Sequence, residues 1–347
     1  MLFRSDVEYI PLETNDEFIC QGVVQDIGDE MILVKNNISD GNIFIFDRKG
    51  KGVRKINRLG QTGEEYLFIT SVILDEDNGE IFINDLITVG RIQVYDLFGK
   101  FKRTIMHKEG TSYDKVYNYN SDNLICHHND GSRSNSQTIS IISKNDGSTT
   151  KEIKMPVDKE KKATTIKIVQ QDGALLLGLR HFYNSMLFYK NDWIFTEHSL
   201  DTAYRYLPDG RDISPFIVRV PPIKSMNTEV FLFPCIITER YYFMQKFIKG
   251  NNEGYTTTEL MYDKQEKATF ESTVYNGDYS NKSQVSIARN LSQTAIVNND
   301  VAFWHKLEAY ELIEANKNGQ LNGKLKEVTT NLTEEDNPVI MIVKYKR

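Results

Sequence analysis

The stretch Ile43-Phe44-Ile45-Phe46-Asp47-Arg48-Lys49-Gly50 decides the fold, because it returns 49 residues later as Ile92-Gln93-Val94-Tyr95-Asp96-Leu97-Phe98-Gly99. Each copy runs into a second short segment, Val53-Arg54-Lys55-Ile56 and Phe101-Lys102-Arg103-Thr104-Ile105. Alternating apolar positions predict strands with one buried face, and Asp-x-x-Gly predicts a tight turn whose Gly takes φ > 0. A third copy, Ile139-Ser140-Ile141-Ile142-Ser143-Lys144-Asn145-Asp146-Gly147, precedes Thr150-Lys151-Glu152-Ile153 at a similar interval. Weaker copies stand at Ala203–Gly210 and Glu259–Gln265.

Upstream of the second hairpin, Phe68–Asp75 and Glu80–Asn84 read as another strand pair joined by Glu76-Asp77-Asn78-Gly79. Four antiparallel strands recurring at roughly 40 to 50 residues make the blades of a propeller. The expected blades cover 22–57, 66–105, 115–154, 182–220 and 230–275. A sixth is expected from both chain ends, with Gln284–Ile287, Val301–Trp304 and Val339–Tyr345 completed by Val7–Leu12 as the outermost strand. Such pairing removes the free edges an open ring would leave, and Pro11 is tolerated on an outer strand. The reading is therefore all-β, one six-bladed β-propeller over 1–347, with a strand-pair insertion at 163–181 and a helical one at 306–335 in the last blade.

Composition fits this class: 40% apolar and 26% charged residues, with 18 Tyr and 18 Phe. The net charge of -6 and the scatter of Lys and Arg argue against a nucleic-acid surface. Cys20, Cys126 and Cys235 lack disulfide or metal spacing and are expected to be buried as small apolar side chains. No run approaches the roughly 18 to 20 apolar residues of a membrane-spanning helix. Acidic Glu13, Asp16 and Glu17 precede Cys20, so that cysteine does not read as a lipid-attachment site. On residues alone, a cytoplasmic location and a removed leader both stay open.

These segments resemble the six-bladed NHL- or TolB-like propellers that Bacteroidetes encode in many copies, mostly of unknown function. The resemblance rests on Val7–Thr14, Phe46–Lys51, Tyr95–Lys100, Gly60–Tyr66, Asp201–Tyr204 and Glu335–Val339. It departs between the first two blades, where relatives read Gly-x-Gly-Pro-Gly-Glu-Tyr and this chain has Thr62-Gly63-Glu64 in place of the central Gly-Pro-Gly. The resemblance implies a lipoprotein at the periplasm or cell surface and brings no reaction with it.

Enzyme motifs such as a nucleophile elbow, His-Glu-x-x-His or a phosphate loop are absent from the sequence. Side chains expected near the channel mouth are Arg58, Glu65, Tyr66, His127, His128, Arg180, His181, Glu197 and His198. Adjacent residues on an extended chain point to opposite sides, so His127-His128 reads as a polar loop and no metal or cofactor is expected. Asp47, Asp96 and Asp263 read as turn residues, and Tyr204-Arg205-Tyr206 and Tyr241-Tyr242-Phe243 as sheet packing. The function expected is non-enzymatic binding of a glycan, peptide or envelope protein by a monomer. The alternative is a glycan-active hydrolase or metal-assisted lyase working at the channel mouth.

Overall fold

The hairpin that reveals the repeat folds as read. In the computed structural model, β4 (Asn42–Asp47) and β5 (Gly52–Asn57) pair antiparallel, as do β8 (Arg91–Asp96) with β9 (Phe101–Met106) and β12 (Thr138–Ser143) with β13 (Thr149–Lys154). The repeat extends to register. Ile43 faces Ile56, Ile92 faces Ile105 and Ile139 faces Ile153. In all three hairpins the outer strand carries one extra residue just past the turn, at Val53, Lys102 and Thr150, which increases the local twist. The Asp47 carboxylate accepts from the Lys49 and Lys51 N–H at 2.8 and 2.9 Å, and Asp96 does the same for Phe98 and Lys100 at 2.9 Å each. These aspartates shape the turn, as their recurrence predicts.

The structure describes residues 7–36, 40–85, 90–109, 111–128, 138–156, 165–170, 173–178, 184–197, 200–207, 212–228, 230–249, 255–287 and 297–345. Across them the fold is a six-bladed β-propeller with two short helices near the C-terminus. By contact density the chain divides into one unit of Met1–Pro156, Asp278–Asn281 and Ile296–Arg347 and another of Val157–Gly277 and Lys282–Ala295.

The first unit contains three complete blades. These are β2 (Val23–Ile27), β3 (Met31–Lys35), β4 and β5; β6 (Ser71–Asp75), β7 (Glu80–Asp85), β8 and β9; and β10 (Tyr113–Asn118), β11 (Asn123–His128), β12 and β13. Middle strands are buried on both faces, as in β7, where all six residues are buried. Outer strands alternate, and in β5 and β13 the one fully buried position is the repeated Ile56 or Ile153. The sequence pattern follows: continuous Ile, Val and Phe inside, Lys and Arg interleaved outside. Apolar layers fill the gaps between blades, with Ile45, Ile56, Tyr66, Leu74, Ile83 and Tyr95 in one and Phe82, Val94, Ile105, Val116 and Leu124 in the next.

The same unit holds the closing sheet, ordered β1 (Val7–Pro11), β25 (Val339–Lys344), β24 (Val301–Leu307). Ile10 lies opposite Ile340 and Glu8 opposite Ile342, so the chain ends share one sheet as expected. Ile10, Ile340, Ile342 and Trp304 pack with Phe18, Val24, Ile32, Phe44 and Phe46 of the first blade. Among the described residues this sheet has three strands. Gln284–Ile287, expected to add another, instead folds back on the preceding segment, where Asn276 N–H donates to Ser283 O at 3.1 Å and Val285 N–H to Val274 O at 2.8 Å. The expected helical insertion is α1 (Ala309–Lys317) and α2 (Gly323–Thr329), which bury Ala309, Leu312, Ala315 and Leu325.

In the second unit, β16 (Met186–Tyr189), β17 (Asp192–Phe195), β18 (Thr202–Tyr206) and β19 (Ser214–Val218) form one sheet, and β20 (Val230–Ile237), β21 (Tyr241–Lys249), β22 (Tyr255–Asp263) and β23 (Ala268–Glu271) another. The inserted strand pair is β14 (Thr165–Gln170) with β15 (Gly173–Gly178). Tyr242 stacks on Tyr262 with centroids 5.8 Å apart, sheet packing of the kind expected for this aromatic segment. Cys20 and Cys126 are buried, whereas Cys235 is half-buried.

Candidate functional site

In the first unit, the β3–β4 and β7–β8 loops emerge at the same end of their blades as the β5–β6 and β9–β10 connections. Hydrogen bonds show this directly. Asn57 on β5 donates to Asp40 O at 2.9 Å, and His107 after β9 donates its N–H to Gly90 O at 2.9 Å. This end collects Arg58, Glu65, Tyr66, His127 and His128 from the sequence-derived candidates.

The β5–β6 connection is a closed loop. Gly60 N–H donates to Tyr66 O at 3.1 Å and Tyr66 N–H to Arg58 O at 3.1 Å. Tyr66 is fully buried; its hydroxyl donates to Gly41 O at 2.6 Å and accepts from Arg58 N–H at 2.9 Å. Burial pushes its phenol up to about 12. Three side chains of β8 then hold the loop backbone from below: Gln93 donates to Gly63 O at 2.8 Å, Tyr95 to Glu64 O at 2.6 Å and Arg91 to Glu65 O at 2.8 Å. The Glu65 carboxylate turns back to accept from Thr62 N–H at 2.9 Å, which lowers its pKa. Gly63, Glu64 and Glu65 thus keep their carbonyls directed at the blade, while the Thr62 carbonyl accepts from Glu65 N–H at 3.2 Å inside the loop. Arg58 is exposed, and its Nε donates to Gly99 O at 2.9 Å.

The next junction uses an imidazole where the first uses a guanidinium. Arg58 and His107 are 49 residues apart and each directly follows an outer strand, so they occupy one position of the repeat. His107 Nδ1 accepts from Tyr113 N–H at 3.3 Å and Nε2 lies 3.1 Å from Asn84 Oδ1, a set of partners that assigns the proton to Nε2. Its ring packs 4.4 Å from that of Tyr113, which is 5.1 Å from His128. Burial first, and the neighbouring His128 second, push His107 down to about 4. His127 and His128, expected in a polar loop, instead lie buried at the end of β11, and the two do not converge. His127 Nδ1 lies 2.7 Å from Asp114 Oδ1 on β10, and His128 Nε2 lies 2.6 Å from Ser140 Oγ on β12.

Beside this junction, Asp85 is fully buried, and one oxygen accepts from Leu67 N–H at 3.0 Å and faces Arg91 at 3.3 Å. On the innermost strand of the first blade, Asp26 accepts from Leu74 N–H of the next blade at 3.0 Å and from Ile27 N–H at 2.9 Å. Burial pushes its carboxyl up to about 7. His107, Asp85 and Asp26 escape a reading of the sequence, although His107 could be found by shifting Arg58 one repeat along. In the second unit, Glu197 is buried and its carbonyl accepts from Leu200 N–H at 2.9 Å. Arg180, His181 and His198 lie outside the described residues. Among the described residues, no three His, Cys, Asp or Glu gather in a metal-binding group, and no helix is long and apolar enough to cross a membrane.

No curated protein matches the chain. Its fold is similar to the crystal structure of a protein assigned as exported in Bacteroides fragilis, at 17% identity and a TM-score of 0.60, covering 99% of this chain and 95% of that one. A protein of unknown function from Bacteroides caccae is 10% identical over 73% of this chain and 75% of its own, with a TM-score of 0.36. The sequence profile of a domain of unknown function, DUF4934, spans residues 3–344, and the chain belongs to that family.

Proposed function

We propose that this propeller is a non-enzymatic binding protein of the bacterial cell envelope, and that the end carrying the β3–β4, β5–β6, β7–β8 and β9–β10 connections engages a glycan, a peptide or a partner protein. The observation that carries this reading is how the ionisable and phenolic groups at that end are used. Tyr66, Glu65, Arg91 and His107 are spent on backbone hydrogen bonds that hold the loops in one shape. A frame of this kind presents exposed Arg58, Gln61, Thr62 and Glu64 in a fixed arrangement, which lowers the ordering cost of binding. Export of the Bacteroides fragilis protein supports the envelope location.

The test is an array of bacterial glycans and peptides probed with the purified chain, followed by calorimetry on hits with Arg58→Ala and Glu64→Ala. Saturable binding weakened by either substitution, with the ligand recovered unchanged, is the expected result. Turnover of a ligand that one substitution at this end abolishes would sink the proposal.

A further inference from the structure

Strand β5 and the residue after it carry Arg54, Ile56 and Arg58 at alternate positions, and Ile56 packs in the apolar layer shared with the second blade. The β8–β9 turn of that blade lies between the two arginines. A Cβ at Gly99 would sit 3.0 Å from Ile56 Cγ2, Arg58 Nε donates to Gly99 O at 2.9 Å, and the Arg54 guanidinium carbon stands 4.7 Å from the centre of the Phe98 ring. Phe98 is 72% exposed.

The repeat shows what sets this corner apart. Arg103 stands 49 residues after Arg54, and its guanidinium donates to both oxygens of Glu80 at 2.9 and 2.6 Å. Glu80 opens β7 opposite Asp96, whereas the residue that opens β3 opposite Asp47 is Met31. The first blade therefore lacks the acid that neutralises this arginine in the second. Among the described residues neither Arg54 nor exposed Lys100 has a carboxylate partner. Asp96, the acid of the turn, accepts from the Phe98 and Lys100 N–H groups. Exposed Asp16 and Glu17 precede Phe18, which packs with the closing sheet on the other side of the first blade. Positive charge thus stays uncompensated beside an exposed aromatic ring.

We propose that this corner docks on an anionic lipid surface, with the Phe98 ring entering the interface and Arg54 and Lys100 meeting lipid phosphates. The ring projects from the tip of a turn, so its complement is broad and flat instead of enclosing. A bilayer offers apolar carbon directly beneath a plane of phosphates, which suits a ring with a guanidinium 4.7 Å from its centre. Arginine holds a phosphate through two parallel N–H donors, and each basic residue near such a surface adds to the attraction. The proposal is independent of binding at the loop-bearing end, and its variants leave Arg58 in place.

Cosedimentation of the full chain with phosphatidylcholine vesicles, with and without phosphatidylglycerol, tests the proposal. Binding to the anionic vesicles alone is expected, and it is lost on going from about 0.05 to about 0.5 M salt, where screening removes the attraction between exposed charges. Arg54→Gln is expected to weaken it about fivefold and Phe98→Ser about tenfold. Each shifts the melting temperature by less than about 2 °C, since neither side chain belongs to the core. No binding to the anionic vesicles, equal binding to both kinds, or indifference to both substitutions would each overturn the proposal. Binding of poly-L-glutamate without binding of vesicles would overturn it in favour of an acidic polypeptide partner.

Discussion

The Tyr66 hydroxyl donates to the Gly41 carbonyl at 2.6 Å and so ties the β5–β6 connection to the β3–β4 loop. The same oxygen accepts from Arg58 N–H at 2.9 Å, which makes one buried phenol the joint of both loops. Tyr66→Phe keeps the ring and leaves a backbone acceptor and a backbone donor without that partner. The expected loss is about 1–3 kcal/mol, read as a lower urea midpoint at unchanged slope. An unchanged midpoint would show that the joint contributes nothing.

Gly50 and Gly79 both have positive φ, +84° and +60°, yet they differ in surroundings. A Cβ at Gly50 would sit 2.0 Å from the Pro11 carbonyl oxygen on the closing strand, whereas one at Gly79 meets nothing within 4 Å. Gly79→Ala is expected to cost about 1–2 kcal/mol, the left-handed backbone penalty alone. Gly50→Ala is expected to cost about 1–3 kcal/mol more, because β1 must move away from the turn. Thermal denaturation of the two variants checks the difference, and equal losses would contradict the close seating of β1.

Asp26 is held protonated up to about 7 by burial, well above the ordinary carboxyl value of 3.8. The folded chain thus binds this proton more tightly than the unfolded chain. Its contribution is complete below about pH 4 and is lost as pH rises to 7. Asp26→Asn removes the titration while keeping an oxygen to accept from Leu74 N–H. The variant should melt higher than the parent at pH 8 relative to their difference at pH 4, and a constant difference across that range would refute this.

His107 shows the opposite sign, since burial lowers it from 6.5 to about 4. The unfolded chain binds the proton first, so stability from the neutral ring is present above 6.5 and falls as pH drops toward 4. Proton NMR of the ring should give a midpoint near 4 in the folded protein. His107→Gln should reduce the acid-side loss of stability between those values. A folded-state midpoint near 6.5 would mean that the imidazole is not desolvated.

Much of the first unit was legible beforehand because its signals are local. Asp47 and Asp96 recur since each carboxylate caps the turn two and four residues on, and Ile56 and Ile105 recur since each is the buried position of an exposed strand. Gln284–Ile287 misled for the same reason: an alternating segment states that it can pair, not with which strand. The candidate site was half legible. Arg58, Glu65 and Tyr66 follow from a motif in one loop, whereas Asp26 and Asp85 are ordinary acidic residues until a neighbouring blade removes their water.

Period, turn chemistry and the order of strands belong to the sequence itself, because each depends on residues within one hairpin and on which of its faces meets water. Tertiary structure alone decided that Glu8 would stand between Arg48 and Lys344, and that Asp26 would accept from Leu74. Those groups are far apart along the chain, and only the stacking of blades and the meeting of the two chain ends brings their charges and hydrogen bonds within reach. Spacing along a strand encodes burial, but distance between blades is set by how their apolar layers pack.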